Sequence, residues 1–335
     1  MFKLADTAML YAWLIRIVTP TGRPPIYFYL DADWRPNAFA FAEHGDEPIA
    51  SYASAVTVGL ITNTLLLVSA AMSDELTLPG IGKMAGPVAD RSWIADIAWG
   101  SDLLRRLPEI EALLAPTILS FDKVRTDWLM AASQYAVWFA MQHEWAHIYQ
   151  GHLDWLLHHS EGRRLAENDD RRSTDSLTDH AMENQADASA ALALLKGADA
   201  DFARCAGFGV GIGMSLFTRP TVIETADMED HPHTSLRALS LCFLATRATT
   251  EMSQIVSDEA RHAWSDGFTE AQLALKRANV TSAMMGAALA EYAGSRSEDR
   301  AVEAIMQKIN VRNRATYERC RELVDEVARI DWWVQ

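Results

Sequence analysis

The stretch His143-Glu144-Trp145-Ala146-His147 constrains this chain most, because it sets two imidazoles and a carboxylate inside an apolar, helix-forming run. At 3.6 residues per turn, positions four apart share a face, so His143 and His147 can offer nitrogen to one metal ion. Glu144 follows the first of them and can reach a water on that metal. Around the motif Ala132, Tyr135, Ala136, Phe139, Ala140 and Ala146 fall near one stripe, flanked by Val137, Trp138 and Ile148. A helix apolar on most sides is buried, and burying two histidines and a glutamate is costly unless something pairs with them. The motif therefore predicts a metal site with a position left open for chemistry. Taken alone, it also reads as two partly buried helix histidines and a surface glutamate.

A third ligand is needed. The pattern with a Gly and a third His three and six residues after the second His is excluded, since Gln150 and Leu153 stand there. His152 would lie about 140° around a continuing helix from His147 and point away, to pack or cap nearby structure. His158 and His159 are too far along the axis. A better candidate comes later. A helix is expected from Ser176 to Lys196, with Thr178 or Asp179 near its start and Gly197 just past its end. On it Glu183 and Asp187 share a face, so Glu183 can bind the metal and Asp187 can accept the free N–H of a bound histidine, His143 by preference. An ordinary amphipathic helix with an acidic face would read the same way. Further on, His231-Pro232 reads as an extended or turn segment before a helix from Leu236 to Ala245 that contains Arg237. An imidazole and a guanidinium on such a turn can stabilise an oxyanion; the plainer alternative is a helix entry with a surface arginine.

Together these motifs resemble the gluzincin metallopeptidases of the HtpX and CAAX-prenyl-protease type. That family carries H-E-x-x-H-x-x-x-x-H, then E-x-x-x-D, then H-P with an arginine six residues after the histidine. Here these are His143, Glu144, His147 and His152; Glu183 and Asp187; and His231, Pro232 and Arg237. Pro36-Asn37-Ala38-Phe39-Ala40 and Val56-Thr57-Val58-Gly59-Leu60 resemble the family's N-A-F-A and V-T-x-G-L strands. A more distant similarity is to phage-exclusion peptidases of the Lit type. The resemblance implies a zinc-dependent endopeptidase with one Zn²⁺ on His143, His147 and Glu183, and Glu144 as general base. His231 and Arg237 would stabilise the oxyanion, Asp187 would orient a ligand, and the strand around Val56, Thr57, Val58 and Gly59 would hold an extended polypeptide by its main chain. Two other readings share the site: a phage-defence or toxin-type effector protease for one host protein, and a non-catalytic metal-binding structural protein. The chain departs from the family in the long segment between residues 61 and 135, in a charged insertion at 160–175, and in lacking long membrane spans.

Composition narrows the partners. A net charge of −15 argues against a nucleic-acid surface and against electrostatic docking on anionic membrane. Three scattered cysteines without C-x-x-C spacing give neither a disulfide framework nor a cysteine metal site, which suits a reducing cytoplasm. The run from Ala8 to Ile15 is too short, and broken by Arg16, for a signal peptide. The charge-free stretch from Pro48 to Ser73 is diluted by Gly59, Asn63 and Ser/Thr, and reads as a strand plus a buried helix rather than a membrane span. The charged run from Glu161 to Thr174 is a solvated loop or a lid opened by a regulatory partner; a homo-oligomer is the other association in view.

The expected architecture is α+β and mostly helical. A short helix (Ala5 to Ile17) precedes strands at Ile26 to Leu30, Asn37 to Ala42 and Ser54 to Gly59, forming a small antiparallel or mixed sheet packed on the active-site helix. Helices follow from about Leu60. The Gly207-to-Gly213 run lacks a nucleotide-loop spacing and reads as a close-packed helix face or buried connection. Trp138, Trp145 and Trp155 read as core. The metallopeptidase domain is drawn over 1–250, with a helical insertion at about 61–130, and a C-terminal helical region over 251–335.

Overall fold

The computed structural model describes residues 24–33, 35–44, 49–72, 77–78, 82–83, 123–159, 165–166, 176–217, 237, 241 and 256–277. They form a mostly helical α+β structure with a small mixed sheet on its N-terminal side. The expected helix Ala5 to Ile17, the helices expected beyond Arg277, and most of the Glu161 to Thr174 segment lie outside the described residues.

Three long strands build most of the sheet: β1 (Ile26–Asp31), β2 (Ala38–His44) and β3 (Ile49–Thr57). β3 lies in the middle, parallel to β1 and antiparallel to β2. Register puts Phe28 opposite Ser54, and Ala40 opposite Ser54 on the other side. Side chains alternate between faces, so Ile26, Phe28, Ala38, Ala40, Tyr52 and Val56 share the face turned to the helices, and all are buried. Its small alanines let a helix come close. On the other face Tyr29, Phe39 and Phe41 meet in edge-on and tilted contacts.

Thr57 ends β3 and starts α1 (Val58–Met72). Its Oγ1 accepts the backbone N–H of Leu60, an N-cap bond, and that of Asn37, while donating to the carbonyl of Arg35. The two segments of the N-A-F-A and V-T-x-G-L kind thus meet at one hydroxyl. This corrects the assignment of Val56, Thr57, Val58 and Gly59 as a substrate-holding edge. Val56 already faces a strand on each side, Thr57 faces β1 and donates its N–H to the carbonyl of Asn37, and Val58 and Gly59 belong to the helix. Strand addition can only use an outer strand, and part of β2's outer edge is taken by the short strand Leu165–Ala166, opposite Phe39 and Ala40.

α1 is charge-free because it is buried on nearly every side: Leu60, Ile61, Leu66, Leu67 and Val68 are in the core. No described helix is long and apolar enough to cross a membrane. α2 (Lys123–Tyr149) is the long helix that carries the H-E-x-x-H motif. No Gly or Pro interrupts it, and it stops where Gly151 takes φ +72° and turns the chain into α3 (His152–His159). Trp145 meets Phe28 of β1 edge-on, and Trp155 is buried, but Trp138, expected in the core, is half exposed.

α4 (Ser176–Leu195) follows and ends before Gly197, φ +71°. α5 (Ala200–Met214) is capped by Asp199, whose carboxylate accepts the N–H of Phe202. α6 (Asp258–Arg277) lies along α5. The glycine run is a helix face: a Cβ on Gly209 would overlap the carbonyl of Ala132 in α2, and one on Gly207 that of Trp264 in α6. The boundary drawn at residue 250 therefore does not divide the core. Trp264 and Phe268 of α6 are fully buried with Phe139 and Val210, in one cluster with residues of α2, α4 and α5. Likewise the part of the supposed insertion that forms α1 is core.

Candidate metal centre

Two helices bring the donors together. α2 supplies His143 and His147 one turn apart, and α4, packed across it, supplies Glu183. Their donor atoms all lie within 4.8 Å of one another, and the three residues are buried. Nε2 of His143 is 3.0 Å from Nε2 of His147 and 3.2 Å from a carboxylate oxygen of Glu183. Nε2 of His147 is 3.5 Å from the other oxygen. Tetrahedral bonds of about 2.0–2.1 Å put neighbouring ligand atoms about 3.3 Å apart, and these separations fall around that value. This buried trio can hold a metal ion.

The opposite ring nitrogens test the fit independently. Nδ1 of His143 lies 2.9 Å from Oδ1 of Asp187. A carboxylate there accepts a proton, so Nδ1 carries it and the neutral ring offers a lone pair at Nε2. Nδ1 of His147 lies 2.9 Å from Nδ1 of His152, whose Nε2 is 3.0 Å from Oε1 of Gln185. When both rings are neutral with Nε2 unprotonated, these two nitrogens and the Glu183 carboxylate form three acceptors around one buried point. In that state the cluster is repulsive without positive charge at its centre, which a bound cation would supply.

The titration tendencies reflect the same demand. Burial opposes charge on His143, yet the hydrogen bonds and charges of Asp187 and Glu183 outweigh it and hold that ring well above the usual imidazole range. Burial dominates at His147 and pushes it well below, with Glu183 only partly offsetting this. The pocket thus favours a proton on His143 and opposes one on His147.

Asp187 is itself held. Arg237 donates from Nε to Oδ2 at 2.9 Å and from Nη2 to Oδ1 at 2.8 Å, and its Nη1 lies 3.7 Å from Glu183. Burial alone would raise the Asp187 carboxyl, but Arg237 and then His143 outweigh it and hold it below its ordinary value. The Nε/Nη2 edge of Arg237, the residue expected to help stabilise an oxyanion, is thus held on Asp187 in a buried fork. Glu144 is buried beside His143 and is not among the mutually close donors. His231 and Pro232 lie outside the described residues.

His152 is the residue misread from the sequence. Pointing away assumed a continuing helix; the left-handed turn at Gly151 instead brings the ring back onto His147. Gln185 was not singled out, and only its place between Glu183 and Asp187 hinted at it. No protein family, no curated protein and no solved structure matches the chain.

Proposed function

We propose that this chain is a zinc-dependent endopeptidase, with His143, His147 and Glu183 holding the metal and Glu144 acting as general base. The observation that carries the reading is the convergence of two Nε2 atoms and one carboxylate at a buried point, with Glu144 next in sequence to the first of these histidines. Among the described residues three protein donors converge, the number used by catalytic zinc sites, whereas structural sites use four.

A zinc ion held there would polarise a peptide carbonyl and lower the pKa of a water towards about 7. Glu144 takes that water's proton and passes it to the departing amine nitrogen. The donor set carries one negative charge and Arg237 cancels that of Asp187, so these residues leave a divalent ion's acidity largely intact. His231, which lies outside the described residues, is assigned the oxyanion-donor role on the sequence motif alone. Every donor is at most 3% exposed, so peptide entry requires movement of whatever covers them. Activity on general substrates is accordingly expected to be low.

The test is zinc content of the purified chain and of its His147→Ala and Glu183→Ala variants, with casein cleavage by wild type and Glu144→Gln. We expect about one zinc per wild-type chain, a sharp loss in both ligand variants, and a fall of at least about 100-fold in cleavage for Glu144→Gln with zinc retained. Wild-type protein that stays zinc-free under metal-replete conditions would remove the reading. Zinc without any cleavage of casein or denatured protein would leave a metal site and remove the general peptidase.

A further inference from the structure

Below the ligands lies a second layer that this reaction does not itself call for. His152 is fully buried and both of its ring nitrogens are engaged, one by His147 and one by Gln185. We propose that His152 and Gln185 are positioning residues that fix His147 in the tautomer able to bind metal, through the chain Gln185 Oε1, His152, His147 Nδ1. The inference rests on the metal reading above.

Each link leaves one choice. An amide oxygen only accepts, so Nε2 of His152, 3.0 Å away, carries a proton. The nitrogens of this buried ring face a neutral amide and another imidazole, so the ring is neutral and its Nδ1 holds a lone pair. The proton between the two Nδ1 atoms, 2.9 Å apart, therefore belongs to His147. Nε2 of His147 is left bare and faces Glu183 and His143. Without the acceptor, His147 would gain by moving its proton to Nε2, towards the Glu183 carboxylate, and would cease to be a ligand.

The two ligand rings thus have different supports. His143 leans on a carboxylate neutralised by Arg237, and His147 on a chain with no charge. A second carboxylate at that place would add negative charge to the centre, which the neutral chain avoids. α4 organises both supports: Glu183 binds directly, Asp187 holds one ring, and Gln185 holds the other through His152. The turn at Gly151 makes the second support reachable.

The test uses the full chain labelled with ¹⁵N-histidine and reads ring-nitrogen protonation, alongside zinc affinity by chelator competition. Metal-free wild type should show Nδ1–H for His147 and Nε2–H for His152. Two substitutions remove an acceptor, His152→Met and Gln185→Leu, and should weaken zinc binding about 10–100-fold. Two others restore one, His152→Gln and Gln185→Glu, and should recover most of the affinity. A packing role alone would not show this recovery. Circular dichroism checks that each variant is folded. Nε2–H on His147 in wild type, or a folded His152→Met chain with undiminished affinity, would overturn the proposal. If wild type bound no zinc, the metal reading would fail, and the ring protonation pattern alone would still decide the tautomer chain. Should every variant unfold, the wild-type pattern decides it in the same way.

Discussion

Asp187 and Arg237 show how strongly a single side chain can matter here. Both are at most 3% exposed, and the guanidinium grips the carboxylate with two hydrogen bonds. Breaking a buried pair from one side leaves an unpaired charge and costs about 3–5 kcal/mol, whereas replacing both partners with apolar groups costs much less. Arg237→Met should therefore lose more stability in urea than the double variant Asp187→Leu/Arg237→Met. The pH dependence follows from the depressed Asp187 pKa. Its stabilising share is present above the unfolded value of 3.8 and is lost as pH falls through the lower folded value. Arg237→Met should accordingly begin to unfold at higher pH in an acid titration. Cys205 differs, because burial alone pushes its thiol up to about 12. It stays protonated at pH 8, and only thiolate reacts. In a Cys242→Ser, Cys320→Ser background, native protein should resist iodoacetamide for hours and react within minutes in denaturant.

At the scale of elements, the glycines on α5 decide how closely three helices approach. A methyl on Gly209 would run into the backbone of Ala132 in α2, and backbone cannot swing aside as a side chain can. Gly209→Ala should cost about 3 kcal/mol or more, at the upper end of overpacking in a filled core. Gly197→Ala is the control, since nothing lies within 4 Å and only its left-handed φ of +71° resists a side chain. That costs about 1–2 kcal/mol. Urea midpoints that fall further for Gly209→Ala would show spacing outweighing conformation; equal losses would refute it. The same elements show what the sequence could convey. The helix from Ser176 was legible because spacing, capping and Gly197 agreed. His152 was not, because a single left-handed residue at Gly151 reverses the direction that helical arithmetic assumes. The middle place of β3 was hidden as well, since strand order depends on pairing between distant segments rather than on any local pattern.

For the whole molecule, α2 is the common wall. Its residues enter a cluster with α1 and the sheet, a second with α4, α5 and α6, and a third with the sheet and α3. The apolar stripe foretold its burial, but not that α6, long after the last motif, closes the same core through Trp264 and Phe268. Complementarity to a row of glycines is a property of two surfaces, and one sequence window does not display it. Because the trio that can hold a metal sits on α2 and α4, metal binding there would be linked to folding. An ion that binds only the folded arrangement stabilises it by RT ln(1 + [L]/Kd), about 2.7 kcal/mol at a hundredfold excess over Kd. Zinc should then raise the unfolding temperature by a few degrees, and a chelator should reverse the rise. His147→Ala should lose most of this response even if its own melting temperature changes little, because the response reads ligation rather than packing. A wild-type midpoint that ignores both zinc and chelator would mean that the buried trio does not bind the ion in the folded state.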